Sequence, residues 1–201
     1  MIKNLNELVA YTNGLAKKVP QIADEVAIKP EGVSKDALDI LARGIALPPL
    51  YVRCIRELGV FGVSLGYFAL WPTFNRNGSL VESLLKANSG STSGEIAARN
   101  AGLLIVGRQE ANLICVGSVE SKQPDVVVLL DVMSSPAVES ANIAENFEVF
   151  LLLAGNLHAI SFSHQESPSN ALSEMNLCCA HFNCTDEQST FWKHAVTELV
   201  A

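Results

Sequence analysis

Apolar positions at helical spacing open the chain: Leu5, Leu8, Val9, Thr12, Leu15 and Ala16 follow an Asn4/Glu7 pair that suits a capping box. This pattern predicts a first helix over about 5–18, stopped by Pro20. After a loop through Lys29-Pro30-Glu31-Gly32, Ser34 caps a second helix carrying Leu38, Leu41 and Ala42 and ended by Gly44. Leu47-Pro48-Pro49-Leu50-Tyr51 reads as a proline-led helix entry, with Tyr51, Val52, Ile55 and Leu58 on one face up to Gly59. Val63 to Leu70 is aromatic and apolar, closes at Trp71-Pro72 and predicts a strand. Leu80, Val81, Leu84 and Leu85 predict another helix, and Asn88 to Gly94 a flexible loop, the expected mobile element.

Beyond Leu103 the period shortens. Leu103–Gly107, Leu113–Val119 and Val126–Leu130 are apolar runs separated by connections of hairpin length, which predicts an antiparallel meander. Val126 to Leu130 does not alternate, so it is expected to be a central strand covered on both faces. Asn142 and Glu145 predict the start of a helix with Phe147, Phe150, Leu151 and Ala154 on one face and its end at Gly155. Leu157–Phe162 reads as a last strand and Ser163–Asn170 as a loop. Thr185 and Gln188 frame a capping box for a final helix bearing Phe191, Trp192, Ala195, Val196 and Leu199, expected to dock on the core, with a homodimer contact as the alternative. The class is therefore α+β: a mostly antiparallel meander with helices packed on it, plus a C-terminal helical extension. The division expected is a domain over 1–156 and an extension over 157–201 packed on the same domain.

Composition narrows the function. In 201 residues, 49% are apolar and 17% charged, enough to bury a core without staples, and the net charge is −7. With no clustered Lys or Arg, a nucleic-acid partner is not expected. The Met1–Glu7 start lacks the pattern of a secretory signal, and no apolar stretch is long enough to span a membrane. Five cysteines without regular spacing suit a reducing compartment, so a cytoplasmic location is expected and the sequons at Asn77 and Asn183 carry no weight.

Three segments resemble the SUKH superfamily, which includes fungal regulators of cell-wall synthesis and bacterial toxin-immunity proteins. They are Leu47-Pro48-Pro49-Leu50-Tyr51 leading to Ile55 and Leu58; Leu104–Gly107 with Leu113–Val116; and Ile143–Leu151, together covering about residues 35–155. The chain departs from the family at two turns: Leu58-Gly59 stands where members often carry Asn-Gly, and Gln109-Glu110-Ala111-Asn112 where Gly-Asp is usual. The resemblance implies a domain that acts by binding, commonly an immunity protein neutralising a cognate toxin, with a regulatory adaptor as the alternative. Acidity fits a basic toxin partner through electrostatic steering. Glu110, Glu120, Asp125, Asp131 and Glu139, near the meander connections, are the candidate contacts.

Enzymatic readings were weighed against this one. Gly62-Val63-Ser64-Leu65-Gly66 matches the G-x-S-x-G nucleophile elbow of serine hydrolases, but the elbow needs a strand before Ser64 and a helix after it, the reverse of the order expected here. Cys178, Cys179, His181 and Cys184 are residue types that bind zinc, yet no second ligand pair accompanies them, so partly buried thiols are expected instead. Neither G-x-G-x-x-G after a strand nor G-x-x-x-x-G-K occurs, and no cofactor is expected. The chain is thus expected to be a binding protein and not an enzyme.

Overall fold

The computed structural model describes residues 1–73, 78–134 and 138–200, without the side chains of 138–140. Among them, α1 (Leu5–Lys18), a 3-10 turn (Pro20–Ile22), α2 (Ala23–Val26), α3 (Lys35–Ala42) and α4 (Pro49–Glu57) come first. Then follow β1 (Ser64–Leu65), β2 (Phe68–Ala69), α5 (Leu80–Ala87), α6 (Ser93–Asn100), β3 (Leu103–Gln109), β4 (Asn112–Gly117), β5 (Val127–Asp131), β6 (Val138–Ala144), α7 (Phe147–Ser163), α8 (Pro168–His181) and α9 (Asp186–Val200). The class is α+β, as expected. The strands form one antiparallel sheet in chain order, β1-β2-β3-β4-β5-β6.

Capping chemistry accounts for the helix starts. Asn4 Oδ1 accepts from the Glu7 amide at 3.0 Å, Ser34 Oγ from Ala37, and Ser79 and Glu82 complete a reciprocal box on α5. Thr185 and Gln188 do the same on α9, through Gln188 N to Thr185 Oγ1 at 3.3 Å and Thr185 N to Gln188 Oε1 at 3.0 Å.

The unbroken apolar run of β5 has a direct cause. Val127 and Leu129 point into the larger core with α1, α4, α7, α8 and α9, while Val128 and Leu130 enter a smaller core with Ala87 of α5, Ala98 of α6, Ile105 and Leu113. Both faces are covered, as expected of this segment.

Four expectations are corrected. Val63–Leu70 is not one strand: Gly66 sits at φ +63° and turns the chain back, pairing Leu65 with Phe68. The expected loop at 88–94 is shorter, because Thr92 accepts from the Glu95 amide at 3.3 Å and starts α6, while the Asn88 side chain bonds Ile105 N and O of β3. Asn142 lies in β6, and the cap of α7 is Asn146, whose Oδ1 accepts from Val149 at 3.0 Å. α7 then runs through Gly155 to Ser163, so residues 157–162 are helix and not strand, and the expected boundary at 156/157 falls inside it. Gly155 is a packing glycine: a Cβ there would overlap Leu8 Cδ1, so it lets α1 approach α7. α8 had no counterpart in the pattern reading.

The final helix docks on the chain's own core. Trp192 and Val196 are fully buried, and Trp192 Nε1 donates to Ile143 O at 2.7 Å. Among the described residues no helix is long and apolar enough to cross a membrane.

On the far side of α7, His158 is buried and its Nδ1 lies 2.9 Å from Tyr11 Oη. Burial lowers its pKa below the usual 6.5. A depressed folded pKa means that the unfolded chain binds the proton more readily, so the stability contributed is complete above 6.5 and lost as pH falls through the folded value. A denaturant midpoint that declines below that pH in the wild type, and declines less in His158→Phe, is the expected outcome.

Candidate functional site

Strand pairing sorts the candidate carboxylates. Because Phe68 faces Gln109 and Leu113 faces Leu130, the β1–β2 turn, the β3–β4 turn and the end of β5 share one end of the sheet. Glu110 and Asp131 lie there, whereas Glu120 and Asp125 lie in the β4–β5 connection at the opposite end, about 20 Å away at ~3.3 Å per residue along β4. The five acids thus do not make one surface. Val138, which pairs with Asp131, brings the backbone of Glu139 to the first end, but its side chain lies outside the described residues.

Two of these carboxylates are occupied by the fold. Asp125 Oδ1 accepts from the Leu50 amide at 3.0 Å, supplying the first turn of α4 with the acceptor that its own N-cap residue, Pro48, lacks. Asp125→Ala is expected to cost about 1–2 kcal/mol in denaturant unfolding. Asp131 closes its own turn, accepting from Met133 N at 2.8 Å, from Ser134 N at 3.3 Å and from Ser134 Oγ at 2.7 Å. The Ser134 hydroxyl, followed by the Met133 amide, holds its pKa below the ordinary value.

Glu110 and Glu120 remain exposed. Glu110 holds φ +53° at the tip of the β3–β4 turn. Beside it is a residue the sequence reading passed over, Tyr67, at the β1–β2 turn. Tyr67 is half-buried and packs on Phe68 with ring centroids 4.7 Å apart. Its phenol ionises well above the ordinary range, first because of burial and then because the carboxylates of Glu198 and Glu110 face it. Glu198 comes from the last turns of α9, held there as Leu199 packs against Gly66. Among the described residues neither Glu110 nor Glu198 has a Lys or Arg partner within ion-pair distance; Glu198 reaches only His194, at 3.7 Å. The result is a tip where Tyr67 feels two carboxylates that have no Lys or Arg partner among the described residues.

The hydrolase constellation does not assemble. Ser64 pairs with Ala69 in a strand–turn–strand unit, so its hydroxyl is on no elbow. Among the described residues no hydrogen bond joins it to a histidine: His158 bonds Tyr11, His164 bonds Glu174 at 3.0 Å, His194 faces Glu198, and His181 meets Phe182 edge to face. The zinc-type residues are also divided. Cys178 faces a recess with Ile2, Asn156 and Ile160, Cys179 and Cys184 face another towards α9, and His181 is exposed. Among the described residues no cluster could hold a metal ion.

Comparison with known proteins adds no relative: no protein-family model, no curated protein and no solved structure matches this chain.

Proposed function

We propose that this chain works by binding a basic partner protein through the tip formed by Tyr67, Glu110 and Glu198, and that the partner is a toxin or effector it neutralises in the cytoplasm. The observation that carries this reading is the pair of exposed carboxylates, without a Lys or Arg partner among the described residues, beside an amphipathic aromatic side chain at one end of the sheet. Tyrosine offers large contact area at low entropic cost, and a surrounding field of one sign steers a partner of the other. A net charge of −7 extends that field beyond the tip. Neutralisation comes from the SUKH resemblance over residues 35–155, and a basic nucleic-acid-cutting toxin supplies the complementary charge.

Co-expression with the product of the adjacent reading frame tests it. The expected result is a co-purifying complex and survival of cells that die when that product is made alone. A product that is harmless to cells lacking this chain, or that does not co-purify with it, overturns the immunity reading.

A further inference from the structure

We propose that Cys179 and Cys184 form a peroxide-responsive dithiol that closes to an intramolecular disulfide, with Cys179 the sulfur oxidised first. Local backbone chemistry brings them together. α8 ends in a Schellman motif: Asn183 takes the left-handed conformation at φ +53°, its N–H bonds Ala180 O at 3.3 Å, and Cys184 N–H bonds Cys179 O at 2.9 Å. This motif places the side chain two residues past the helix cap against the one in the last turn, here thiol against thiol. Cys184 is also the residue before the Thr185 cap of α9, so Ser189, in the first turn, comes to the same spot.

The Schellman backbone bonds thus bring the two thiols side by side. Both line an open recess of about 430 Å³ with Asn176, Asn183, Ser189 and Lys193. The neighbouring Cys184 thiol, then the Ser189 hydroxyl and the Lys193 ammonium, lower the pKa of Cys179, whereas the Cys179 neighbour and then burial raise that of Cys184. Lys193 lines the same recess and its ammonium favours a thiolate there, so Cys179 is assigned that role and Cys184 that of the resolving thiol. Cys178, although adjacent in sequence, turns to the other side of α8, where burial lifts it to about 11.

Cys179 is 3% exposed but lines that open recess, which a small oxidant such as hydrogen peroxide can enter. The Cys179 thiolate attacks one peroxide oxygen, the O–O bond breaks, and hydroxide leaves, giving a sulfenic acid. Cys184 then attacks that sulfur, losing its proton as the S–O bond breaks and water departs. Two thiols are oxidised by two electrons and one peroxide is reduced to two waters.

Hydrogen peroxide and peptide mapping of the intact chain test this. The expected product is a Cys179–Cys184 disulfide lacking two hydrogens, with Cys54, Cys115 and Cys178 still alkylatable. In Cys184→Ser a sulfenic-acid trap is expected on Cys179, at a rate at least about tenfold above that of Cys178 in the same chain. A Cys178–Cys179 disulfide, a sulfenic acid appearing first on Cys184, or five thiols left intact would each overturn the proposal. The wild-type product needs no variant, so a folding defect in Cys184→Ser leaves the first arm decisive.

Discussion

Trp192→Ala is expected to remove about 4 kcal/mol or more from the unfolding free energy, with a fall in melting midpoint of roughly 8–16 °C for a chain of this size. The indole is fully buried and touches three aromatic rings, Phe191, Phe68 and Phe150, with centroids 5.2, 5.4 and 6.3 Å away. Truncation loses its transfer energy, opens a cavity, and leaves Ile143 O without the donor it now has at 2.7 Å. Since domains are stable by only about 5–15 kcal/mol, α9 and the edge strand β6 are expected to loosen together. Glu198 would then lose its fixed place beside Tyr67, so binding should weaken as stability falls. Chemical denaturation of the purified variant checks this. A loss under about 1 kcal/mol would mean that α9 is an appendage rather than part of the core.

Gly155→Val is expected to destabilise by about 2–3 kcal/mol through overpacking. The new side chain would collide with Leu8, itself fully buried, and Ile2 Cδ1 lies 3.6 Å from the same point, so relief requires α1 to move off α7. Helix propensity works the other way by less than about 1 kcal/mol, too little to offset the collision. The expected signature is a lower denaturant midpoint with faster hydrogen exchange in α1. An unchanged midpoint would show that α1 is not seated in the groove that Gly155 opens.

That glycine also marks where a linear reading of this chain stops working. Gly155 follows a clear apolar stripe and reads as a helix end, because whether a glycine ends a helix or admits a neighbour depends on a partner 147 positions earlier in the chain. The same limit explains the hairpin at 63–70, whose apolar run hides a turn at Gly66. By contrast, α1, α3, α4 and α9 were legible, since their caps are local: a side chain bonding an amide three residues on, or a proline opening the first turn. β3, β4 and β5 were legible from their apolar runs and the hairpin-length connections between them. Thr92 and Glu95 carried the signal for α6, but the surrounding serines and glycines read as a linker.

The candidate site was legible only in part. Placing acids at meander turns found Glu110, yet charge type and turn position cannot separate a free carboxylate from one that caps a helix 75 residues away, as Asp125 does. Tyr67 and Glu198 join Glu110 only through tertiary packing: one lay within a presumed strand, the other on a terminal helix read for its apolar face. The thiol pair had a readable signal, Asn before the second cysteine at a helix end, because a left-handed Asn predicts the Schellman contact.

Charge reversal at the tip tests the binding reading most directly. Association of the purified chain with the product of the adjacent reading frame is to be followed by stopped flow between about 0.05 and 0.5 M salt. The wild-type rate is expected to fall steeply with salt, and Glu110→Lys/Glu198→Lys to slow association on the order of tenfold at low salt. Glu120→Lys, at the far end of the sheet, is expected to change it much less. Equal rates for all three chains, with no dependence on salt, would contradict an acidic tip as the docking surface.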